Sequence, residues 1–157
     1  MRQSAVTESV HIIRMMLKAG TVAGVDADAA RESVHLDQST LDDPDARVPM
    51  AMEEALWEVL AERSGDSTFG LHAALTLEPG EFDVMDYAIR SSVNLRQAME
   101  NARRYNRLLH DVAEFELTEE GQTARFDHFF RDDPKGANWH AGDFTLASIY
   151  AVSMVIT

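Results

Sequence analysis

The spacing of hydrophobic residues predicts helices over the first two thirds of the chain. Residues 5–19 carry apolar side chains at helical spacing, and Gly20 behind them is a natural helix stop. Asp26 and Asn94 are predicted N-caps, because short polar side chains accept hydrogen bonds from first-turn amides. Residues 37–48 are predicted to form a polar loop. The same periodicity predicts further helices over approximately 27–35, 49–64, 69–77, 82–92 and 94–109.

The hydrophobic period changes after residue 110. Apolar residues approach alternation with polar ones over 112–117 and alternate again over 124–130, with a turn-like stretch around Gly121 between them. This pattern predicts an antiparallel β-hairpin at about 112–130. Residues 144–156 are strongly apolar and favour a buried helix, with a strand as the alternative. The whole pattern predicts one α+β domain over residues 1–157, with an N-terminal helical bundle region, a small antiparallel sheet and a C-terminal helix.

The apolar run up to Thr157 has no polar last turn, glycine or basic C-cap. The single predicted hairpin would also be only marginally stable by itself. We therefore expect the polypeptide to be a truncated domain, whose natural chain continues and whose exposed apolar surface favours self-association.

The net charge restricts the partners of the chain. Lys and Arg number 14 against 27 Asp and Glu, which gives a formal net charge of −13. DNA repels so acidic a domain, so any DNA binding by the parent protein is expected from another segment. The chain has no cysteine, which excludes disulfides and thiolate sites and fits a reducing cytoplasm. No secretory signal or membrane span is expected.

Residues 47–111 carry a series of short motifs in a recognisable order. They are Arg47-Val48-Pro49, Ala55-Leu56-Trp57 with Glu58, Gly65-Asp66, Phe69-Gly70-Leu71, Pro79-Gly80-Glu81-Phe82, Tyr87-Ala88 with Ser91-Ser92, Leu95, Ala98, Arg104-Tyr105, Arg107-Leu108-Leu109 and Asp111. In order and spacing they resemble the arabinose-binding-like N-terminal domain of bacterial AraC-family transcription regulators, a subgroup that includes ornithine-utilisation and virulence regulators.

The resemblance implies an effector-sensing, dimerising domain. In that family it precedes a linker and two helix-turn-helix motifs, neither of which occurs in these residues. The implied partners are a small-molecule effector, a second copy of the chain and, through the helix-turn-helix region alone, DNA. No cofactor is implied, and the members of the family sense varied molecules, so arabinose itself is not implied. Asp83 and Asp86 depart from the glycines common there, which disfavours an anionic effector against this helix unless arginines offset them.

Catalytic motifs do not stand out. The six histidines include no pair at helical metal-site spacing, and neither a glycine-rich phosphate loop nor a Gly-x-Ser-x-Gly elbow occurs. We therefore expect neither an enzyme nor a metal site. His110 next to Asp111 is interpreted as a structural pair at a helix end. Glu54, Glu58 and Glu62 are interpreted as a solvated acidic face.

Six residues are candidates for contact with an effector. Tyr87, Ser91, Tyr105, Phe126 and His128 are predicted to face inward, which would give hydroxyls and aromatic walls to a pocket, with plain core packing as the alternative. Arg104, or else Arg107, could hold an effector carboxylate through a bidentate pair. Salt bridging within an acidic domain is the favoured interpretation of these arginines.

Two further residues are assigned structural roles. Arg47 is predicted to be a buried arginine that ties the 37–48 loop to the helices. Trp57 lies on the apolar side of the helix predicted over 49–64. An alternative function is a stand-alone sensor of haem or of a fatty acyl ligand, with His110 or His128 as the axial haem ligand. A colourless purified protein would exclude haem.

Overall fold

The computed structural model describes residues 6–131 and 138–156. Within those ranges the chain forms helices and two small antiparallel sheets, so the predicted α+β class and C-terminal helix are confirmed. The elements in chain order are β1 (Thr7–Ser9), α1 (Val10–Val22), α2 (Ala27–Ser33), α3 (Gln38–Asp42), β2 (Arg47–Pro49), α4 (Met50–Ser64), α5 (Phe69–Ala74), α6 (Asp83–Arg90), α7 (Leu95–Tyr105), a 3-10 turn (Asn106–Leu108), β3 (Ala113–Glu120), β4 (Thr123–Phe130) and α8 (Trp139–Ile156).

The core lies between α1, α4, α5 and the start of α8. Ile13 and Met16 of α1 and Leu60 of α4 have no exposed surface, and Trp57 packs edge-on against Phe69 at 5.9 Å between ring centroids. α1 is apolar on several sides, as expected of a helix buried at the centre of a domain. The predicted N-caps are confirmed, since Asp26 accepts from Ala29 N and Asn94 from Gln97 N.

The N-terminal prediction is wrong in its boundary. Residues Thr7–Ser9 form a strand instead of the first helical turn, and Ser9 then caps α1 by accepting from His11 N. β1 pairs antiparallel with β2, so that Glu8 lies opposite Val48. The predicted 37–48 loop is also incorrect, because it contains α3 and most of β2. Three-residue strands are too short for an alternating pattern to reveal them.

The predicted hairpin is confirmed. β3 and β4 pair in register from Ala113 opposite Phe130 to Glu120 opposite Thr123. Gly121 begins the connecting turn with φ of +63°, a backbone conformation that favours glycine. One face of the hairpin packs beside α7, with β3 in contact with that helix.

α8 begins at Trp139, earlier than its predicted start at 144, and is apolar around most of its circumference. Its first turn lies directly on α5. The two backbones are so close that a Cβ added to Gly70 would overlap the His140 carbonyl oxygen. Further along, one side of the helix faces the interior. Its opposite side exposes Leu146, Tyr150, Met154 and Val155. Among the described residues, no helix combines the length and the apolar character needed to cross a bilayer.

Candidate functional site: an apolar cavity with a polar floor

A cavity of about 110 Å³ lies between α6, α7, the hairpin and α8. One water needs ~10–15 Å³ by this measure, so the space is large enough for a small molecule. The apolar side chains that line it include Phe82, Met85, Ile89, Leu95, Met99, Phe115, Phe130, Phe144, Ile149, Val152 and Ile156. A mostly apolar enclosure with few polar groups is typical of ligand pockets.

Polar groups reach this cavity from two sides. On the α6 side, Asp86 is buried and pairs with Arg90 at 2.8 Å, and it also accepts from Gly80 N. On the opposite side Glu53 and His110 line the floor, with the fully buried Glu8 beside them. We call Glu8, Glu53 and His110 the acid–histidine cluster. Each can offer one ligand atom, and these atoms lie within 4.8 Å of one another.

The backbone explains why Glu8 and His110 meet. Besides its pairing with β2, Glu8 forms an antiparallel bridge with His110. The bridge is flanked by the hydrogen bonds from Ser9 N to Leu109 O, at 2.7 Å, and from Asp111 N to Thr7 O, at 3.2 Å. Residues in such a directly opposite pair project their side chains to the same face, close together. β1 therefore lies between β2 and residues 109–111.

Glu53 joins the cluster from α4. It lies in the first turn of that helix, directly after β2, and its Oε1 accepts a 2.9 Å hydrogen bond from Trp57 Nε1 one turn later. Both side chains are buried, so this bond fixes the direction of the Glu53 carboxylate. Trp57 thus supports the core, as predicted, and also orients a residue of the cavity floor.

Burial dominates the electrostatics of the floor. It raises the pKa of Glu8 to about 12, with a further increase from the negative charge of Glu53. Burial also lowers the pKa of His110 below its ordinary value. Both carboxyl oxygens of Glu8 and Nδ1 of His110 lack a hydrogen-bond partner among the described residues. Unsatisfied buried polar atoms are uncommon in folded proteins and call for an explanation.

The predicted effector residues fall into two groups. His128 lines the cavity, and burial lowers its pKa to about 4, with a smaller contribution from His110. Phe126 is not a lining residue, but it stacks on Phe115, which is one, at 5.0 Å between ring centroids. The inward orientation predicted for Tyr87 and Ser91 is wrong, since Tyr87 is 76 % exposed and Ser91 is also exposed. The exposed stripe of α6 carries Tyr87, because the helix turns Met85 and Ile89 inward.

The arginines also lie outside the cavity lining. Arg104 is exposed, with its guanidinium 5.5 Å from the centroid of the half-buried Tyr105 ring. Arg107 is an exposed partner of Glu114 at 3.6 Å, as the salt-bridge interpretation expects. The arginine that offsets an acidic side chain of α6 is Arg90, which sequence analysis did not select.

Arg47 does not occupy the buried position predicted for it. Its side chain is one-third exposed and connects β2 to β1 and to the segment before β3, rather than a loop to the helices. It donates to Thr7 Oγ1 at 2.9 Å, to Leu108 O at 3.1 Å and to Asp111 Oδ1 at 2.8 Å. His110 and Asp111 thus belong to a strand junction, in keeping with a structural role.

Glu8 and Glu53 are not among the site residues predicted from the sequence. A signal existed for Glu53, which lies one turn before Trp57 and on the same side of the helix, out of phase with the acidic series Glu54, Glu58 and Glu62. Glu58 and Glu62 are exposed and Glu54 is half-buried, much as predicted. Glu8 had no such signal, because its position follows from a three-residue strand.

Most of the cavity lining falls within a part of the chain that matches a known family, whereas Glu8, Ile12 and Ile156 lie outside it. Residues 24–155 match the family model described as the arabinose-binding domain of AraC transcription regulators, N-terminal. No curated protein matches the chain at a significant level. Because the family model covers most of the 157 residues, the chain belongs to the family of N-terminal arabinose-binding domains of AraC transcription regulators.

Proposed function

We propose that this effector-binding domain senses a small molecule in the cavity and controls a helix-turn-helix region elsewhere in a bacterial AraC-type regulator. The observation that carries the proposal is the position of α8. Its inner side, with Ile149 and Val152, forms a wall of the cavity, while its outer side exposes Leu146 and Tyr150. Occupancy of the cavity can therefore change the packing of a helix whose other side is available to a second surface.

The lining indicates the chemistry of the effector. Most of the wall is apolar, and Arg90, its one arginine among the described residues, is already paired with Asp86. An anionic effector would find no free guanidinium there, so we propose a compact, largely apolar molecule without a carboxylate. His128 would contact it from β4, whereas Arg104 and Tyr87 would need to rearrange before they could reach it.

Binding rather than catalysis is the proposed mode of action. The bound effector would shift the equilibrium between two arrangements of the domain, and coupling of this kind is worth typically ~1–3 kcal/mol. With its net charge of −13, the domain would leave DNA contact to the helix-turn-helix region. We further propose that it works in the cytoplasm as a homodimer, with the exposed side of α8 in the interface.

A thermal-shift screen of small metabolites tests the sensing proposal. A ligand at 100 times its dissociation constant adds about 2.7 kcal/mol to the free energy of unfolding. Ala98→Leu fills part of the cavity and should abolish the shift, whereas Ala51→Leu, at an exposed position of α4, should retain it. Hits that stabilise both variants equally would place the ligand elsewhere. A haem absorption band in the purified protein would favour the haem-sensor alternative.

A further inference from the structure

We propose that Glu8, Glu53 and His110 form a binding site for one divalent transition-metal ion, of which Zn²⁺ is the best-suited example. The residues come from β1, α4 and the segment before β3, and they converge at the cavity floor. Nothing in the sequence spacing predicts such a site, because its ligands are not on one helix or loop.

The geometry of the cluster suits a small cation. The candidate ligand atoms lie within 4.8 Å of one another, and His110 Nδ1 is 3.6 Å from Glu8 Oε2. That distance is too long for a hydrogen bond. It is close to the ~3.4 Å edge of a tetrahedron whose metal–ligand bonds are ~2.1 Å long.

Three polar atoms of the cluster are buried without a hydrogen bond among the residues that the structure describes. In the described part of the chain, these are both carboxyl oxygens of Glu8 and Nδ1 of His110, and Glu8 has no exposed surface. Among the described residues no lysine or arginine pairs with Glu8 or Glu53. Buried polar atoms without a hydrogen-bond partner are destabilising, and a divalent cation would bind oxygens of both Glu8 and Glu53.

The surroundings of the cluster also resemble those of a metal site. Trp57 Nε1 holds Oε1 of Glu53, as outer-shell donors hold metal-binding carboxylates, and leaves Oε2 free to coordinate. Glu53 and His110 line the cavity, which gives the ion an entry path and leaves a fourth position open toward it. Two carboxylates and one imidazole suit Zn²⁺ or Co²⁺ better than Ca²⁺ or Mg²⁺, which prefer all-oxygen sites of higher coordination number.

Titration of the metal-free chain tests the proposal. We expect one Zn²⁺ to bind per chain by calorimetry, and Co²⁺ to give the strong visible absorption of a four-coordinate ion, which Zn²⁺ then removes. Absence of stoichiometric Zn²⁺ binding, or the weak spectrum of aqueous Co²⁺, would overturn the proposal. Both readouts are independent of any effector, so failure here leaves the sensing proposal intact and failure of the metabolite screen leaves this one intact.

Matched substitutions assign the ligands. Glu8→Gln, Glu53→Gln and His110→Gln should each weaken Zn²⁺ binding at least ~100-fold, since even outer-shell partners contribute ~10–100-fold. Two controls should bind like the unchanged chain: Glu62→Gln, at an exposed position of α4, and His11→Gln, at a half-buried position of α1 outside the cavity lining. Equal weakening by the controls would refute the assignment.

Nitrogen NMR of the histidine rings covers the case in which a cluster variant does not fold. In the unchanged chain, Zn²⁺ should shift Nδ1 of His110 at one equivalent. A response confined to the other five of the six histidines would contradict the proposal.

Discussion

Single atoms decide how closely α5 and α8 approach each other. At Gly70 even one added carbon would overlap the backbone of His140, whereas at Gly142, inside α8, an added carbon meets nothing within 4 Å. The same residue type therefore has opposite roles at two positions of one packed pair of helices. At Gly70 the missing side chain permits contact, and at Gly142 it only costs helix stability.

Two alanine substitutions test this difference. Gly70→Ala should lower the free energy of unfolding by ~1–3 kcal/mol, because the obstacle is backbone and cannot rotate away. Gly142→Ala should raise it by ~0.5–1 kcal/mol, as expected for alanine in a helix interior. Urea denaturation of both variants measures the change. A neutral Gly70→Ala would mean that the two helices are not packed as described.

Burial of His128 predicts a stability change with pH. Its pKa is lowered from 6.5 to about 4 in the folded chain, so the unfolded chain takes up a proton first as pH falls. The contribution of neutral His128 is complete above pH 6.5 and is lost progressively between pH 6.5 and about 4. His128→Phe should flatten the pH dependence of unfolding in that window.

Chemical denaturation at intervals from pH 4 to 7.5 checks the expectation. The difference in pH dependence between the unchanged chain and His128→Phe isolates the contribution of His128. The charged cavity groups Glu53, Asp86, Arg90 and His110 are common to both proteins. His11→Gln, at a half-buried position of α1, controls for removal of a histidine. A slope unchanged by His128→Phe but reduced by His11→Gln would contradict the prediction.

At the scale of elements, β1 connects parts of the chain that are far apart in sequence. It pairs with β2 on one side and with residues 109–111 on the other. Arg47 of β2 also donates a hydrogen bond to the carbonyl oxygen of Leu108, directly before residues 109–111. Asp111 accepts from Thr7 N at 2.8 Å and from Thr7 Oγ1 at 2.7 Å, which closes the arrangement. Three short segments therefore hold the cluster, and no single one would be stable alone.

Arg47→Lys tests the junction. Lysine keeps the charge but cannot reproduce the fork of donors to Thr7, Leu108 and Asp111, so we expect a loss of ~1–2 kcal/mol in the free energy of unfolding. Arg125→Lys provides the control, because its pair with Asp127 is largely exposed and should be worth ~0–1 kcal/mol. Equal losses in the two variants would show that the junction contributes no more than a surface ion pair.

At the scale of the whole molecule, α8 lies between the cavity and an exposed apolar face. Leu146, Tyr150 and Met154 are spaced four residues apart, and each exposes more than half of its surface. A helix that is apolar on both sides is expected to be covered on both sides. In the proposed homodimer, the second copy covers the outer side.

Glutamate substitutions on that face test the homodimer. We expect the unchanged chain to sediment as a dimer, and Tyr150→Glu with Met154→Glu to yield a monomer whose circular dichroism is unchanged. Val93→Glu, at a highly exposed apolar position between α6 and α7, should leave the dimer intact. A chain that is monomeric at all concentrations, or a dimer indifferent to the α8 variants, would rule out this interface.

The periodicity of hydrophobic residues was sufficient to predict the longer helices and strands. Except for the short α3, the helices of the first two thirds follow from local hydrophobic patterns, as do the hairpin around Gly121 and the C-terminal helix, because these patterns extend over enough residues to be recognised. The ordered motifs of residues 47–111 were likewise sufficient to identify the family, because their order and spacing can be recognised directly along the chain. Of the six candidate effector residues, the sequence placed His128 at the cavity, since alternation in β4 turns it inward with Phe130.

The cavity floor depended on the tertiary structure. Glu8, Glu53 and His110 are separated by tens of residues, and only the pairing of β1 with two partners brings them together. Similarly, the direction of Tyr87 and the partners of Arg47 depend on which side of a short element faces the core, and a short pattern does not specify that side. Local hydrophobic order determined the elements of this protein, while long-range backbone pairing and burial determined the chemistry of its cavity.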